Sequence, residues 1–401
     1  MLLEKAINGG PIPGRRGAGH NRLITHFNCS SRIAESRWER RRFLADWWRI
    51  YAGDPYWAPP YYPTLRRALE PAHNPHLARM TPIFIQAEAL SRRQTQAGRD
   101  TWSSSAWSGG LGFGHTVAAA VALCDPRRED GAAYLALLHC VNDADSLEFL
   151  FYKLAEALWT RGRRRLLGPM GLSAYLEPGA LEDHWNHLPP LHTAYNPPYL
   201  PEILHSLMET LTSSRLYHLE IPKELPPSPP GPAELSPLEP ARLAADLLPL
   251  LAVACSPWSD FPPPDAAEGA FLMRWLGHWP LCGWLAEVAG EPAGFVLLGP
   301  DVAPPLRRAD GGRFPPWRLW LAWRSRRRLQ GGRLLYAAVS PPWQGQGLGR
   351  QLLRHALATG HQLGWRTLSI GPVPTTAPAA AFLERHGASP RQTYRLYRVN
   401  L

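Results

Sequence analysis

The chain has 401 residues, 45% of them hydrophobic, and a net charge of +10 from 43 Lys+Arg against 33 Asp+Glu. That length supports two domains with full cores and excludes a disordered acidic chain or a small stapled fold. Five scattered cysteines without C-x-x-C spacing exclude a disulfide framework and a zinc cluster, so no metal is expected and the setting is read as reducing and cytoplasmic.

No stretch reaches the roughly 18 apolar residues of a membrane helix, and residues 1–35 have no apolar run of signal-peptide length, so they are read as a flexible extension. A helix follows, with Phe43, Leu44, Trp47, Trp48 and Tyr51 on one face. Strands are predicted at "PIFIQAEA", "HTVAAAVAL" and "AYLALLHCV", then a helix, then a strand ending "LLGPM". Between strand and helix, "NDADS" (Asn142 to Ser146) places Asp143 and Asp145 where a helix N-terminus would otherwise attract an anion.

Pro222 to Pro240 contains eight prolines and is expected to be an extended connector without helix or sheet. The division is therefore 1–35, a first lobe over 36–221, a connector over 222–240 and a second lobe over 241–401. Within the second lobe the order is strand "CGWLAEV", turn, strand "FVLLG", strand "LLYAAVS", a glycine loop, a helix, strand "TLSIGPV", helix "AAAFLERHGA" and strand "YRLYRV". Both lobes share a strand, helix, Gly-Pro strand order, and both close on Arg-Leu-Tyr, at Arg215 to Tyr217 and Arg395 to Tyr397, which favours a duplicated fold. The basic runs "RGRRR" (Arg161 to Arg165) and "RSRRR" (Arg324 to Arg328) fit solvated ends, and no RNA- or DNA-binding motif accompanies the charge.

The glycine loop, "VSPPWQGQGLGRQLL" from Val339 to Leu353, carries the functional signal. A loop without side chains lets backbone N–H groups converge on an anion at the positive end of a helix. A Walker loop is excluded because the lysine and hydroxyl residue are missing. A dinucleotide fingerprint is disfavoured because Arg350 replaces the third glycine and no acid occurs between Gly349 and Glu384.

What remains is V-x-P-x-x-Q-x-x-G-x-G, at Val339, Pro341, Gln344, Gly347 and Gly349, and with its surrounding element order it resembles the GNAT superfamily of acyl-CoA-dependent acyltransferases. The whole chain also resembles tandem-GNAT proteins through "DPYWAPPYYPTLRRALEPAHNPHLAR", "LLGPMGLSAYLEPGAL" and "ERHGASPRQTYRLYRV". The resemblance implies an α/β fold of two tandem GNAT-like lobes, each a mixed, mostly antiparallel sheet flanked by helices, with a degenerate first lobe. It implies acetyl-CoA or another acyl-CoA as cosubstrate and an amine of a small molecule or peptide as acceptor.

The residues this assigns to the cofactor are Val339, Ser340, Pro341, Gln344, Gly345, Gln346, Gly347, Leu348, Gly349 and Arg350, with Thr376 at the position of a usual asparagine. The backbone N–H of Val339 is expected to meet the oxyanion. The family's usual tyrosine acid is replaced by Leu383, which leaves Tyr394 as the substitute acid and Glu287 as the general base. Without that tyrosine a non-catalytic acyl-CoA-binding protein stays an alternative. A tRNA-dependent aminoacyl transferase is a further one.

Overall fold

The structure, a computed structural model, describes residues 29–89, 115–224, 231–313 and 329–401, so the run Arg324 to Arg328 lies outside the described residues. In chain order the strands are β1 (Cys29–Ile33), β2 (Ile83–Ala89), β3 (His115–Leu123), β4 (Ala132–Cys140), β5 (Arg165–Met170), β6 (Ala180–Leu181) and β7 (Glu209–Glu220). They continue with β8 (Glu234–Pro237), β9 (Cys282–Val288), β10 (Glu291–Pro300), β11 (Gly331–Val339), β12 (Thr367–Pro374) and β13 (Ser389–Asn400).

All thirteen join one sheet ordered β1-β2-β3-β4-β5-β13-β7-β12-β11-β10-β9-β8, with β6 paired to β13. Both lobes are mixed and mostly antiparallel, with parallel pairs only at β4·β5 and β11·β12 among the described strands. The lobes exchange their last strands. β7, which closes the first lobe in sequence, pairs with β12 of the second, from Glu220↔Thr367 to Ser214↔Pro374. β13, which closes the second, pairs with β5 of the first, from Tyr397↔Gly168 to Asn400↔Arg165. The two repeated Arg-Leu-Tyr stretches sit on these exchanged strands, which pair with each other, Arg215 opposite Thr393 and Arg395 opposite Ser213.

Two sequence expectations are corrected at the edges. Cys29–Ile33, assigned to the flexible extension, is an edge strand in register with β2 from Cys29↔Ala89 to Ile33↔Ile85. Glu234–Pro237, assigned to the structureless connector, is the opposite edge strand, paired to β9. An edge strand leaves one row of N–H groups unpaired, so a proline at its end breaks no ladder bond.

Local signals set the helices. Ser36 and Glu39 form a reciprocal cap on helix Arg37–Ile50, with Glu39 N–H donating to Ser36 Oγ at 3.2 Å and Ser36 N–H to Glu39 Oε2 at 2.8 Å. Asp143 accepts the Ser146 N–H at 3.3 Å and so fills the N-terminus of helix Ala144–Trp159 with the protein's own carboxylate.

One face of the sheet carries a single core shared by both lobes, with Phe43 and Trp47 of the first packed in the same cluster as Leu272 and Phe295 of the second. The other face carries a separate core for each lobe. Across the shared face, buried Glu268 joins the lobes: Ser173 Oγ donates to its Oε1 at 2.7 Å and Arg127 Nη2 to its Oε2 at 2.9 Å. Arg127 keeps its pairing with Asp125, so removing Glu268 deletes the cross-lobe hydrogen bonds to a charged group without leaving an uncompensated cation. Glu268→Ala is therefore expected to lower unfolding stability by about 1.5–3 kcal/mol. Urea unfolding that shows Glu268→Ala as stable as the wild type would contradict this role.

Candidate functional site

The parallel pair β11·β12 is short, running only from Gly331↔Thr367 to Leu334↔Ile370. There β11 bulges at Leu335 and continues beside β10 as far as Gly294↔Val339, while β12 turns away, so a V-shaped gap opens between them. Ser340 N–H donates to Ala293 O at 2.8 Å. Antiparallel alternation then turns the N–H and C=O of Val339, and of Ala337 two residues earlier, away from β10 and into the gap. Val339 C=O accepts a hydrogen bond there, from Gln344 Nε2 at 2.9 Å.

Gly347 caps helix Leu348–Gln362 with φ +89°, a left-handed conformation that favours glycine. The first-turn N–H groups of Leu348, Gly349 and Arg350 have no carbonyl four residues back within the helix. A Cβ added at Gly345 or Gly347 would meet nothing within 4 Å, so this backbone faces open space. An anion the size of a pyrophosphate fits that cradle on both geometry and charge.

The gap opens into a cavity of about 780 Å³, within the size range of small-molecule sites. Val339, Gln344, Gly345, Gly347, Gly349 and Arg350 line its mouth. Of the remaining residues assigned to the cofactor, Ser340 and Pro341 join strand to loop without lining the cavity. Leu348 is buried in the core, exposed Gln346 donates to Pro342 O, and Thr376 is exposed one position before Ala377, which does line the wall. The middle of the cavity is apolar, with Cys255, Trp258, Leu276, Leu335, Ile370 and Leu383 among its walls.

The deep end is polar and comes from both lobes: Glu177 and His192 from the first, Arg333 and Tyr336 from the second. Burial lifts the Glu177 carboxyl to about 7. Its φ of +52° is uncommon for a residue with a side chain, and such strain gathers at functional sites. Burial, assisted by the charge of Arg333, lowers His192 to about 3, so the ring is neutral. Its Nδ1 accepts the Trp275 indole N–H at 3.1 Å, which leaves the proton on Nε2. Tyr336 donates its hydroxyl to Tyr175 O at 2.9 Å and fixes β11 against the first lobe. Glu177 and His192 also line a second cavity of about 110 Å³, walled by Trp47, Trp57 and Tyr195 of the first lobe.

The structure does not bring the two sequence-assigned catalytic side chains to this site. Tyr394 is fully buried against Leu181 and Leu216, with its hydroxyl 3.4 Å from Gln392 Oε1, and does not line the cavity. Strand exchange carried β13 away from the second lobe's own splay. Glu287 stands near the edge of the sheet, opposite Glu234 of β8, and does not line the cavity either. Glu177, His192 and Arg333 were missed. Glu177 lies inside "LSAYLEPGAL", a stretch noted only for its resemblance, and nothing local in the sequence marks it as buried.

Residues 250–388 match the model of the acetyltransferase (GNAT) family. Those residues form a GNAT domain. A tandem GNAT protein from the clavulanic acid biosynthesis pathway shares the fold over 93% of this chain and 98% of its own, with a TM-score of 0.55 at 12% identity. A GCN5-related glucosamine N-acetyltransferase region of a fungal multi-domain GH3 beta-N-acetylglucosaminidase gives a TM-score of 0.52 at 13% identity, over 94% of this chain and 39% of that one. The bacterial ceramide synthase of Caulobacter vibrioides is 24% identical over 385 residues, 90% of this chain and 94% of the relative. The GNAT match over residues 250–388 supports an acyltransferase in general. Among the described residues no helix is long and apolar enough to cross a membrane, and no group of three or more His, Cys, Asp or Glu could hold a metal ion.

Proposed function

We propose that this protein transfers an acyl group from acyl-CoA to the amine of a long-chain, lipid-like acceptor. One observation carries the reading: a single, largely apolar cavity joins the glycine loop to a buried carboxyl with its pKa near 7. The name of the Caulobacter relative, a ceramide synthase, supports an acceptor with an alkyl chain. An acyltransferase for a small polar amine has no need of such apolar walls.

In this reading the pyrophosphate rests on the N–H groups from Gln344 to Arg350, and the pantetheine arm runs along the exposed edge of β11. Glu177 takes a proton from the acceptor's ammonium, which frees the lone pair for attack on the thioester carbon, and the second proton that nitrogen sheds on becoming an amide goes to the departing thiolate or to water. The oxyanion is met by backbone N–H groups facing the gap, at Val339 or at Ala337. The C–N bond forms, the C–S bond breaks, and the thiolate leaves past the apolar wall at Leu383. A free thiol has a pKa of about 8.5, so departure needs no side-chain acid.

Incubating the full chain with acetyl-CoA or long-chain acyl-CoA and a panel of amines tests this. Thiol release and an amide product are expected with long-chain amines and not with short polar ones. Tight acyl-CoA binding without thiol release from any amine between about pH 6 and 9 would favour the non-catalytic binder instead.

A further inference from the structure

Arg333 is the unexplained group of the deep end. It is 3% exposed, lines the cavity, and donates from Nη2 to Gly371 O at 2.7 Å. Its Nε and Nη1 are buried and have no hydrogen-bond partner among the described residues. Asp301 acts on it electrostatically, but Asp301 Oδ1 already accepts the N–H groups of Leu191 at 3.0 Å and Ala303 at 3.1 Å, which fixes two loops. A buried guanidinium with two idle donors is costly unless a ligand satisfies it.

Arg333 does not serve the oxyanion. It lies four residues before Ala337, about 13 Å along a strand, and its long side chain closes part of that distance, so the group it holds sits a few bonds from the reacting nitrogen. His192, which feels the Arg333 charge, and Glu177 line the same cavity, so that group is assigned to the acceptor.

We propose that Arg333 is a specificity-determining residue that grips an oxygen of the acceptor, a carboxylate or carbonyl first and a hydroxyl less well, carried a few bonds from the nucleophilic nitrogen. The acceptor is then a long-chain amine with an oxygenated head, held by Glu177 at nitrogen and by Arg333 at oxygen. The inference rests on the proposed function and narrows its acceptor class.

The test compares three acceptors of equal chain length: a plain 1-aminoalkane, a 2-amino-1-alkanol and a 2-aminoalkanoic acid. Wild type is expected to prefer an oxygenated head over the plain amine by about 10-fold or more in kcat/KM, the effect of one hydrogen bond to a charged group. Arg333→Met is expected to erase that preference, lowering kcat/KM for the oxygenated heads far more than for the plain amine, while acyl-CoA affinity stays within about twofold. Equal use of all three by wild type overturns the proposal, as does an Arg333→Met variant that slows every acceptor alike. Calorimetric binding of the same three to wild type needs neither turnover nor a folded variant. A preference there with no turnover separates failure of the transferase reading from failure of this one. An equal affinity for all three counts against Arg333.

Discussion

Glu177→Gln is expected to lower kcat by about 100-fold or more, the usual contribution of a positioned base, while acyl-CoA binds as before. The amide has the shape of the carboxylate and cannot take a proton. The pH dependence makes the assignment specific. Burial raises the folded-state pKa of Glu177 from 4.5 to about 7, so the base-competent carboxylate fills in as the pH rises through 7. The kcat/KM of wild type should climb about tenfold per pH unit below that point and level above it, and the variant should lose this limb. The same shift makes a stability prediction. A carboxyl whose folded pKa is raised contributes stability that is fully present below pH 4.5 and lost as the pH rises through 7. Glu177→Gln should therefore melt with wild type at pH 4 and above it at pH 8. An unchanged kcat, or a variant less stable than wild type at pH 8, would remove Glu177 from this role.

Gly347→Glu is expected to abolish measurable acyl-CoA binding without unfolding the chain. The left-handed φ of +89° costs a residue with a side chain about 1–2 kcal/mol. The added carboxylate then occupies the positive helix end where the pyrophosphate would rest, and repels it. The fold survives because a Cβ here meets nothing within 4 Å. Gly347→Ala carries the strain without the charge, so it should lose only part of the affinity. Arg350→Ala, beside the same opening, should weaken binding by about 1.5–3 kcal/mol. Calorimetry giving Gly347→Glu the affinity of wild type would place the cofactor elsewhere.

How far the sequence reached depended on whether a feature is local. Gly345 and Gly347 were legible because a left-handed cap and an open backbone demand glycine at fixed spacing after a strand. Asp143 was legible for the same reason, since a helix cap is decided within four residues. The duplicated element order and the two Arg-Leu-Tyr strands were legible too, and with them the tandem fold.

The exchange of β7 and β13 was not legible, because strand pairing joins residues far apart in sequence and each strand carries the same alternation in either lobe. That exchange buries Tyr394 fully and leaves it outside the cavity lining. It also means that cutting the connector would deprive each lobe's sheet of a neighbouring strand. Only the closure of the lobes decides that Glu177 is desolvated, that His192 stays neutral and that Arg333 keeps two idle donors. By itself the sequence determined the glycine cradle at the helix start, because backbone geometry there is set by neighbouring residues. The tertiary structure decided the setting of Glu177, His192 and Arg333, because burial and charge belong to the space between lobes and not to any one stretch of chain.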